Sequence, residues 1–91
     1  MMRFEGKRIH VVVTDAARLE AFTRKAKQLP RRQVLPSGDI REHSLESLVK
    51  SLVIDDAMRK LQRARRSAGL SRTVVPGDFL VGDGVFAEVV S

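Results

Sequence analysis

RIHVVVT, residues 8–14, is the stretch that decides the fold. It is rich in β-branched residues and lies between Gly6 and Asp15, a pattern typical of a β-strand. Successive side chains of a strand point to opposite faces, so this strand has one apolar face. That face consists of Ile9, Val11 and Val13. His10 and Val12 point the other way, and we expect His10 to be a half-buried structural residue.

A helix should follow this strand directly. Thr14 or Asp15 can cap it, because a short side-chain oxygen accepts hydrogen bonds from the free amides of a first helical turn. Apolar residues then recur at spacings of three and four, which predicts a helix with a single apolar stripe. The stripe is Leu19, Phe22, Ala26 and Leu29. Pro30 ends the helix, since proline cannot continue the hydrogen-bond ladder, and a loop with a short extended piece at residues 33–35 follows.

A second, longer helix follows the loop. Asp39 and Glu42 have the spacing of a capping box, which predicts a start at Ile40, with Ser44 as the alternative start. Gly69 marks the other end, because glycine readily adopts the left-handed conformation that closes a helix, so we expect the helix to run to about residue 68.

The apolar stripe of this second helix rotates partway along its length. Leu45, Leu48 and Leu52 lie on one face, whereas the apolar residues after Val53 continue on another. Two adjacent β-branched residues at this point, Val53 and Ile54, favour an interruption. We therefore expect a bend or a break near Val53.

Two β-rich segments close the sequence, at residues 79–81 and 85–90. The glycines of the Gly82-Asp83-Gly84 segment between them allow the positive φ angles of a tight turn, which predicts a β-hairpin. Ninety-one residues suit one domain, residues 1–91. The predicted fold is a small α+β domain of order β-α-α-β-β. Its mostly antiparallel sheet joins the N-terminal strand to the C-terminal hairpin, and both helices pack on one face.

A single sheet with helices on one side leaves its other face uncovered. The hairpin contains more apolar residues than a fully solvated hairpin of this length needs: Val75, Leu80, Val85, Phe86, Val89 and Val90. Because an exposed apolar surface tends to find a partner, a homodimer is one possibility.

The charge distribution is strongly one-sided. The chain carries 17 Lys and Arg against 11 Asp and Glu, a net charge of +6, and no basic residue follows Arg72. The last 19 residues contain only the acidic residues Asp78, Asp83 and Glu88. A one-sided basic field attracts polyanions, although basic residues also serve solubility alone.

The basic residues fall into two clusters. The first is Arg24, Lys25, Lys27, Arg31 and Arg32, and the second is Arg59, Lys60, Arg63, Arg65, Arg66 and Arg72. If both clusters gather on one exposed patch, they can neutralise several phosphates, because the planar guanidinium of arginine grips phosphate at two points. The second cluster has another explanation, since the helix dipole favours cations in the last turns.

We therefore predict a non-enzymatic nucleic-acid-associated or regulatory protein. Its predicted phosphate contacts are Arg24, Lys25, Lys27, Arg31, Arg32, Arg63, Arg65 and Arg66. The sequence has no Tyr or Trp and only four Phe, of which we assign Phe22, Phe79 and Phe86 to the core, so duplex binding is favoured over base stacking. The alternative is a protein-interaction module, such as an adaptor, inhibitor or assembly subunit for an acidic protein.

Catalytic and metal-binding chemistry has little support in the sequence. There is no Cys, and the two histidines, His10 and His43, are not spaced as metal ligands or paired with a nucleophile. We expect no enzymatic activity, no cofactor and no metal. Without a long apolar segment or a signal-like N-terminus, we also expect no membrane partner and a cytoplasmic location.

Overall fold

The central pair of strands holds the molecule together. The computed structural model describes residues 2–91, and they form eight elements. In chain order these are β1 (Met2–Glu5), β2 (Ile9–Val13), α1 (Ala16–Lys27), β3 (Arg32–Val34), β4 (Ile40–Glu42), α2 (Leu45–Ser67), β5 (Phe79–Gly82) and β6 (Val85–Val89). Strands β1-β2-β6-β5 form an antiparallel sheet in that order, and β3 pairs with β4 in a separate hairpin. The predicted α+β class, with the N-terminal strand beside the C-terminal hairpin, is confirmed.

The alternation predicted for the first strand is confirmed in β2. Ile9, Val11 and Val13 are buried, while His10 is exposed and Val12 is half-buried. The neighbouring strand β6 repeats the pattern, with Val85, Ala87 and Val89 buried. Since directly opposite residues point to the same face of a sheet, both central strands present their apolar residues to the same side.

Both helices pack on this inner side of the sheet. The core joins the inner side chains of the sheet to Phe22 and Ala26 of α1 and to the buried stripe of α2. That stripe is Val49, Val53, Ala57 and Leu61, spaced four residues apart. Because the spacing continues through Val53, α2 is one unbroken helix, and the break that the rotated stripe predicted is absent.

The predicted start of the second helix is wrong by several residues. Ser44 is the N-cap, and its hydroxyl accepts a hydrogen bond from the Ser47 amide at 3.1 Å. Ile40–Glu42 instead forms β4, and the Glu42 carboxylate meets the Arg32 Nε at 3.1 Å across the hairpin. The capping-box pattern was misleading because Glu42 has a cross-strand partner, and the alternative start at Ser44 is confirmed.

Two elements were missed by the sequence analysis. Strand β1 pairs with β2 along its whole length, yet only Phe4 of its four residues is buried. The β3–β4 hairpin is exposed on every residue, and only residues 33–35 were expected to be extended. Both elements lack the alternating apolar pattern that identifies a strand, since neighbouring strands rather than side-chain burial specify them.

The turns follow the sequence signals closely. Asp15 caps α1 by accepting from the Ala17 amide at 2.9 Å. Asp83 and Gly84 form the two-residue turn between β5 and β6, and both have positive φ, at 52° and 73°. A side chain at Gly84 would overlap Asp15, because the turn carbonyl of Gly84 accepts the Thr14 amide at 2.7 Å and holds the two segments together.

Truncating the central strand should destabilise the protein strongly. Ile9 is 3% exposed and Ile40 is 63% exposed. Ile9→Ala should lower the free energy of unfolding by about 2–5 kcal/mol, because it leaves a cavity in the core. The matched change Ile40→Ala should cost about 0.5 kcal/mol or less. Urea denaturation followed by circular dichroism measures both, and equal losses would contradict the assignment of β2 to the core.

Candidate anion-binding groove

Three arginines of α2 line one side of an open cleft. Arg59, Arg63 and Arg66 are spaced four and three residues apart, so their side chains emerge on one face of the helix. Together with Gln62, Ser67 and Arg72 they line a cavity of about 480 Å³. All four arginines are exposed. The cleft therefore concentrates guanidinium groups on a solvent-accessible surface.

Arg72 reaches this cleft because the chain reverses after α2. Gly69 has φ of 77°, its amide donates to the Arg66 carbonyl at 3.0 Å, and the Leu70 amide donates to the Arg65 carbonyl at 2.9 Å. These two bonds form a Schellman motif, which satisfies carbonyls at the end of a helix and turns the chain back. The left-handed role predicted for Gly69 is confirmed.

A second depression continues the cleft toward the sheet. It has a volume of about 370 Å³, and it shares Gln62 and Arg72 with the first. Arg8, from the segment before β2, adds a further guanidinium, whose Nη2 donates to the Val74 carbonyl at 3.3 Å. We call the two depressions together the arginine groove. Its basic residues are Arg8, Arg59, Arg63, Arg66 and Arg72.

The charges of the arginine groove are not neutralised by carboxylates. Within residues 2–91, four ion pairs are formed, and none of them includes a groove arginine. Arg59 donates through Nε to the backbone carbonyl of Asp55 at 3.4 Å, although the spacing of these residues predicted a carboxylate contact. The predicted Asp56–Lys60 pair is confirmed, with 3.0 Å between Oδ2 and Nζ. Five guanidinium groups are thus left to attract an external anion.

Arg65 has a different position from the other arginines of the second cluster. Its Nη1 donates to both oxygens of Asp78, at 3.2 and 2.9 Å, and its Nε donates to the Ser71 carbonyl at 2.6 Å. The side chains of Arg65 and Asp78 are only 15% and 23% exposed. Arg65 was predicted as a phosphate contact, but these bonds occupy its guanidinium inside the protein.

Asp78 is held as a carboxylate by several donors. The backbone amide of Val75 donates to its Oδ2 at 3.0 Å, and this bond is the main reason why the pKa of Asp78 lies below its ordinary value of 3.8. Arg65 lowers the pKa further through its hydrogen bond and its charge, while partial burial acts in the opposite direction. The contact is therefore charged on both sides at neutral pH.

The first basic cluster is dispersed compared with the groove. Arg24 pairs with Glu20 at 3.2 Å and Arg32 pairs with Glu42 at 3.1 Å, both on exposed surfaces. Lys25 lines a shallow cavity that also includes Asp56. Lys27 and Arg31 are exposed, and neither forms an ion pair with a carboxylate in the described part of the chain. None of these five residues lines the groove.

Several groove residues were absent from the sequence prediction. Arg59 and Arg72 were assigned to the second cluster but not to the site, although the spacing of 59, 63 and 66 could have indicated a shared helix face. Arg8 and Gln62 were not considered. No local signal identifies Arg8, because its place beside Arg72 depends on how β2 packs against the end of α2.

The histidines do not form a second site. His10 is exposed on the outer face of the sheet, which corrects the expectation of a half-buried residue. His43 Nε2 lies 3.2 Å from the Gln33 Oε1, next to the β3–β4 hairpin. The described residues contain no group of three or more potential metal ligands. In the same part of the chain, neither helix is long and apolar enough to cross a membrane.

Comparisons with known proteins give no guide to this groove. A scan of protein-family models, a search of curated proteins and a search of solved structures each found no match to the chain.

Removing the charge of Asp78 should change how stability depends on pH. A carboxyl group whose pKa is lowered by folding stabilises the protein above its unfolded pKa, and this contribution is lost as the pH falls through the folded pKa. Asp78→Asn should therefore be less stable than the wild type at pH 7, and the difference should narrow below about pH 4. Urea denaturation at a series of pH values measures the difference.

Asp83→Asn is the matched control, because Asp83 is an exposed turn residue. Its stability should follow that of the wild type at every pH. A difference between the wild type and Asp78→Asn that stays constant from pH 7 to pH 2.5 would contradict the charged contact with Arg65.

Proposed function

We propose that this chain is a cytoplasmic, non-enzymatic, nucleic-acid-associated protein that binds the phosphate backbone of a duplex through the arginine groove. The observation that carries the proposal is the convergence of five arginines without carboxylate partners on one continuous cleft. Phosphate oxygens are suitable ligands for such a cleft, because each guanidinium can donate two parallel hydrogen bonds.

The size of the groove fits a short section of backbone. Arg59 and Arg66 are seven residues apart on α2, which corresponds to about 10 Å along the helix axis. One strand of a duplex places a phosphate every ~3.4 Å along its axis, so this length faces about three phosphates of one strand. Arg8 and Arg72 extend the groove toward the sheet and add further contacts.

The groove offers phosphate contacts and no base-stacking surface. Phe4 and Phe22 are buried in the core. Phe79 and Phe86, which we had assigned to the core, are exposed on the outer face of the sheet, and neither lines the groove. Binding through the groove alone would therefore be insensitive to base sequence, since phosphate contacts carry no sequence information directly.

Lys27 and Arg31 belong to the proposal as outlying contacts. They are exposed and lie at the end of α1 and just after it. Arg24, Lys25 and Arg32 stay candidate contacts from the sequence, although each has a carboxylate nearby. Exposed ion pairs are worth at most about 1 kcal/mol, so a phosphate could displace Glu20 or Glu42. We leave Arg65 out of the proposed contacts because it is bonded to Asp78.

Duplex binding across a salt series tests this function. With four or five phosphates neutralised, the logarithm of the association constant should fall linearly with the logarithm of the salt concentration, with a slope of about −4. Fluorescence anisotropy of a labelled 20-base-pair DNA, measured between 50 and 200 mM NaCl, gives that slope. Replacing Arg59, Arg63, Arg66 and Arg72 with Gln should reduce its size by about 3.

The control variant removes the same number of charges elsewhere, by replacing Arg24, Lys25, Lys27 and Arg31 with Gln. It should change the slope by about 1 or less, since these residues are dispersed. Circular dichroism melting confirms that each variant is folded. Equal effects of the two variants would show that total charge matters rather than the groove, and undetectable binding at 50 mM NaCl would leave the protein-interaction alternative as the better explanation.

A further inference from the structure

The outer face of the four-stranded sheet is uncovered in this structure. The strand register places its side chains in two rows that cross all four strands. The first row, in the order β1-β2-β6-β5, is Arg3, Val12, Phe86 and Val81. The second row is Glu5, His10, Glu88 and Phe79. Both helices pack on the opposite, inner face.

One end of this outer face is apolar and exposed. Phe79 and Val81, on the edge strand β5, are each 68% exposed, and Phe86 beside them is also exposed. Val12 completes a continuous apolar strip across three strands. Adjacent exposed apolar side chains of this size mark an interaction surface more often than isolated ones do.

The other end of the outer face is charged, with both signs present. Arg3 and Glu5 lie two residues apart on β1 and point the same way, as successive alternate residues of a strand do. Glu88 lies near the middle of the second row. The face therefore carries one basic and two acidic residues, while the chain as a whole has a net charge of +6. This composition disfavours an anionic partner here, and it allows two copies to approach without the repulsion that their basic surfaces would produce.

We infer that this outer face binds the same face of a second copy of the chain, about a twofold axis that lies between the two rows and across the strands. Such an axis places each first row over the second row of the partner copy. Arg3 of one copy then meets Glu5 of the other, and Val81 meets Phe79, and the symmetry produces each contact twice. The face is self-complementary in both charge and apolar character about this axis.

The size of the face limits the strength of this dimer. Four strands about 4.8 Å apart and about four residues long give a flat surface of roughly 20 by 15 Å. This is smaller than the roughly 800 Å² that each partner buries in a standard interface, so the dimer should be weak and form at micromolar to millimolar concentration.

Sedimentation equilibrium of the full chain between 10 µM and 1 mM tests the inference. The wild type should show a monomer–dimer equilibrium. Val81→Lys should raise its dissociation constant about tenfold or more, because a lysine would be desolvated at the centre of the apolar contact. Val34→Lys is the matched control, since Val34 is 71% exposed and lies on the separate β3–β4 hairpin, and it should leave the dissociation constant unchanged.

A charge exchange tests the proposed axis. Arg3→Glu should weaken the dimer, because it places like charges opposite each other, and the double variant Arg3→Glu/Glu5→Arg should restore it. Circular dichroism melting shows whether each variant folds. A wild type that stays monomeric at 1 mM overturns the inference, as does an equal response to Val81→Lys and Val34→Lys, or a double variant weaker than Arg3→Glu alone.

The same exposed phenylalanines could stack on bases, which is a different role. Anisotropy with a labelled single-stranded RNA separates the two. Binding that Phe79→Ala abolishes, in a protein that sediments as a monomer, would assign the face to nucleic acid and overturn the dimer. These results are independent of the duplex experiment, because none of the exchanged residues lines the arginine groove.

Discussion

The bond between Arg65 and Asp78 connects the three parts of the molecule that form the groove. It links the last turn of α2 to the segment that leads into β5, and Asp78 is in turn joined to the sheet, since its carbonyl accepts the Val89 amide at 2.8 Å. Arg65 also holds the intervening segment through the Ser71 carbonyl. Because Arg72 follows Ser71 directly, this arrangement determines where Arg72 lies against the helix. A bond that uses one arginine inside the protein thus positions another on the surface.

The arginine groove is unfavourable for folding when it is considered alone. Two like charges about 6 Å apart in water repel each other by roughly 0.7 kcal/mol, and several such pairs occur among the groove arginines. The helix dipole gives back about 0.3–1 kcal/mol for a cation in the last turn. That benefit applies to Arg66 but does not extend to Arg59 or Arg63, which lie further from the helix end. The dipole therefore does not explain the groove, whereas an external anion would remove the repulsion and add hydrogen bonds.

Local patterns in the sequence were sufficient for much of the fold. The alternation of residues 8–14, the Asp15 cap, the Gly69 helix end and the Asp83-Gly84 turn are all found as predicted, because each depends on short-range sterics and hydrogen bonds. The errors concern elements that tertiary contacts specify. Strand β1 exists because β2 offers it a free edge, and Glu42 belongs to a hairpin because Arg32 lies opposite.

The candidate site was predictable only in part, for the same reason. Arg63 and Arg66 were identified from charge density, but charge density does not distinguish Arg65, whose carboxylate partner lies 13 residues further along the chain. It also does not bring in Arg8, which reaches the groove only through the packing of the sheet against α2. In this protein the decisive property of each arginine is whether a carboxylate lies within reach, and that property appears only in the folded chain.

The most direct test of the groove follows the arginine side chains themselves. Heteronuclear NMR of the ¹⁵N-labelled protein resolves the Nε–H signals of arginine, and a short DNA duplex can be titrated into the sample. The account predicts that the signals of Arg59, Arg63, Arg66 and Arg72 shift with the duplex, while the signal of Arg65, already bonded to Ser71, stays in place. Shifts spread evenly over all arginines, or confined to residues outside the groove, would contradict it.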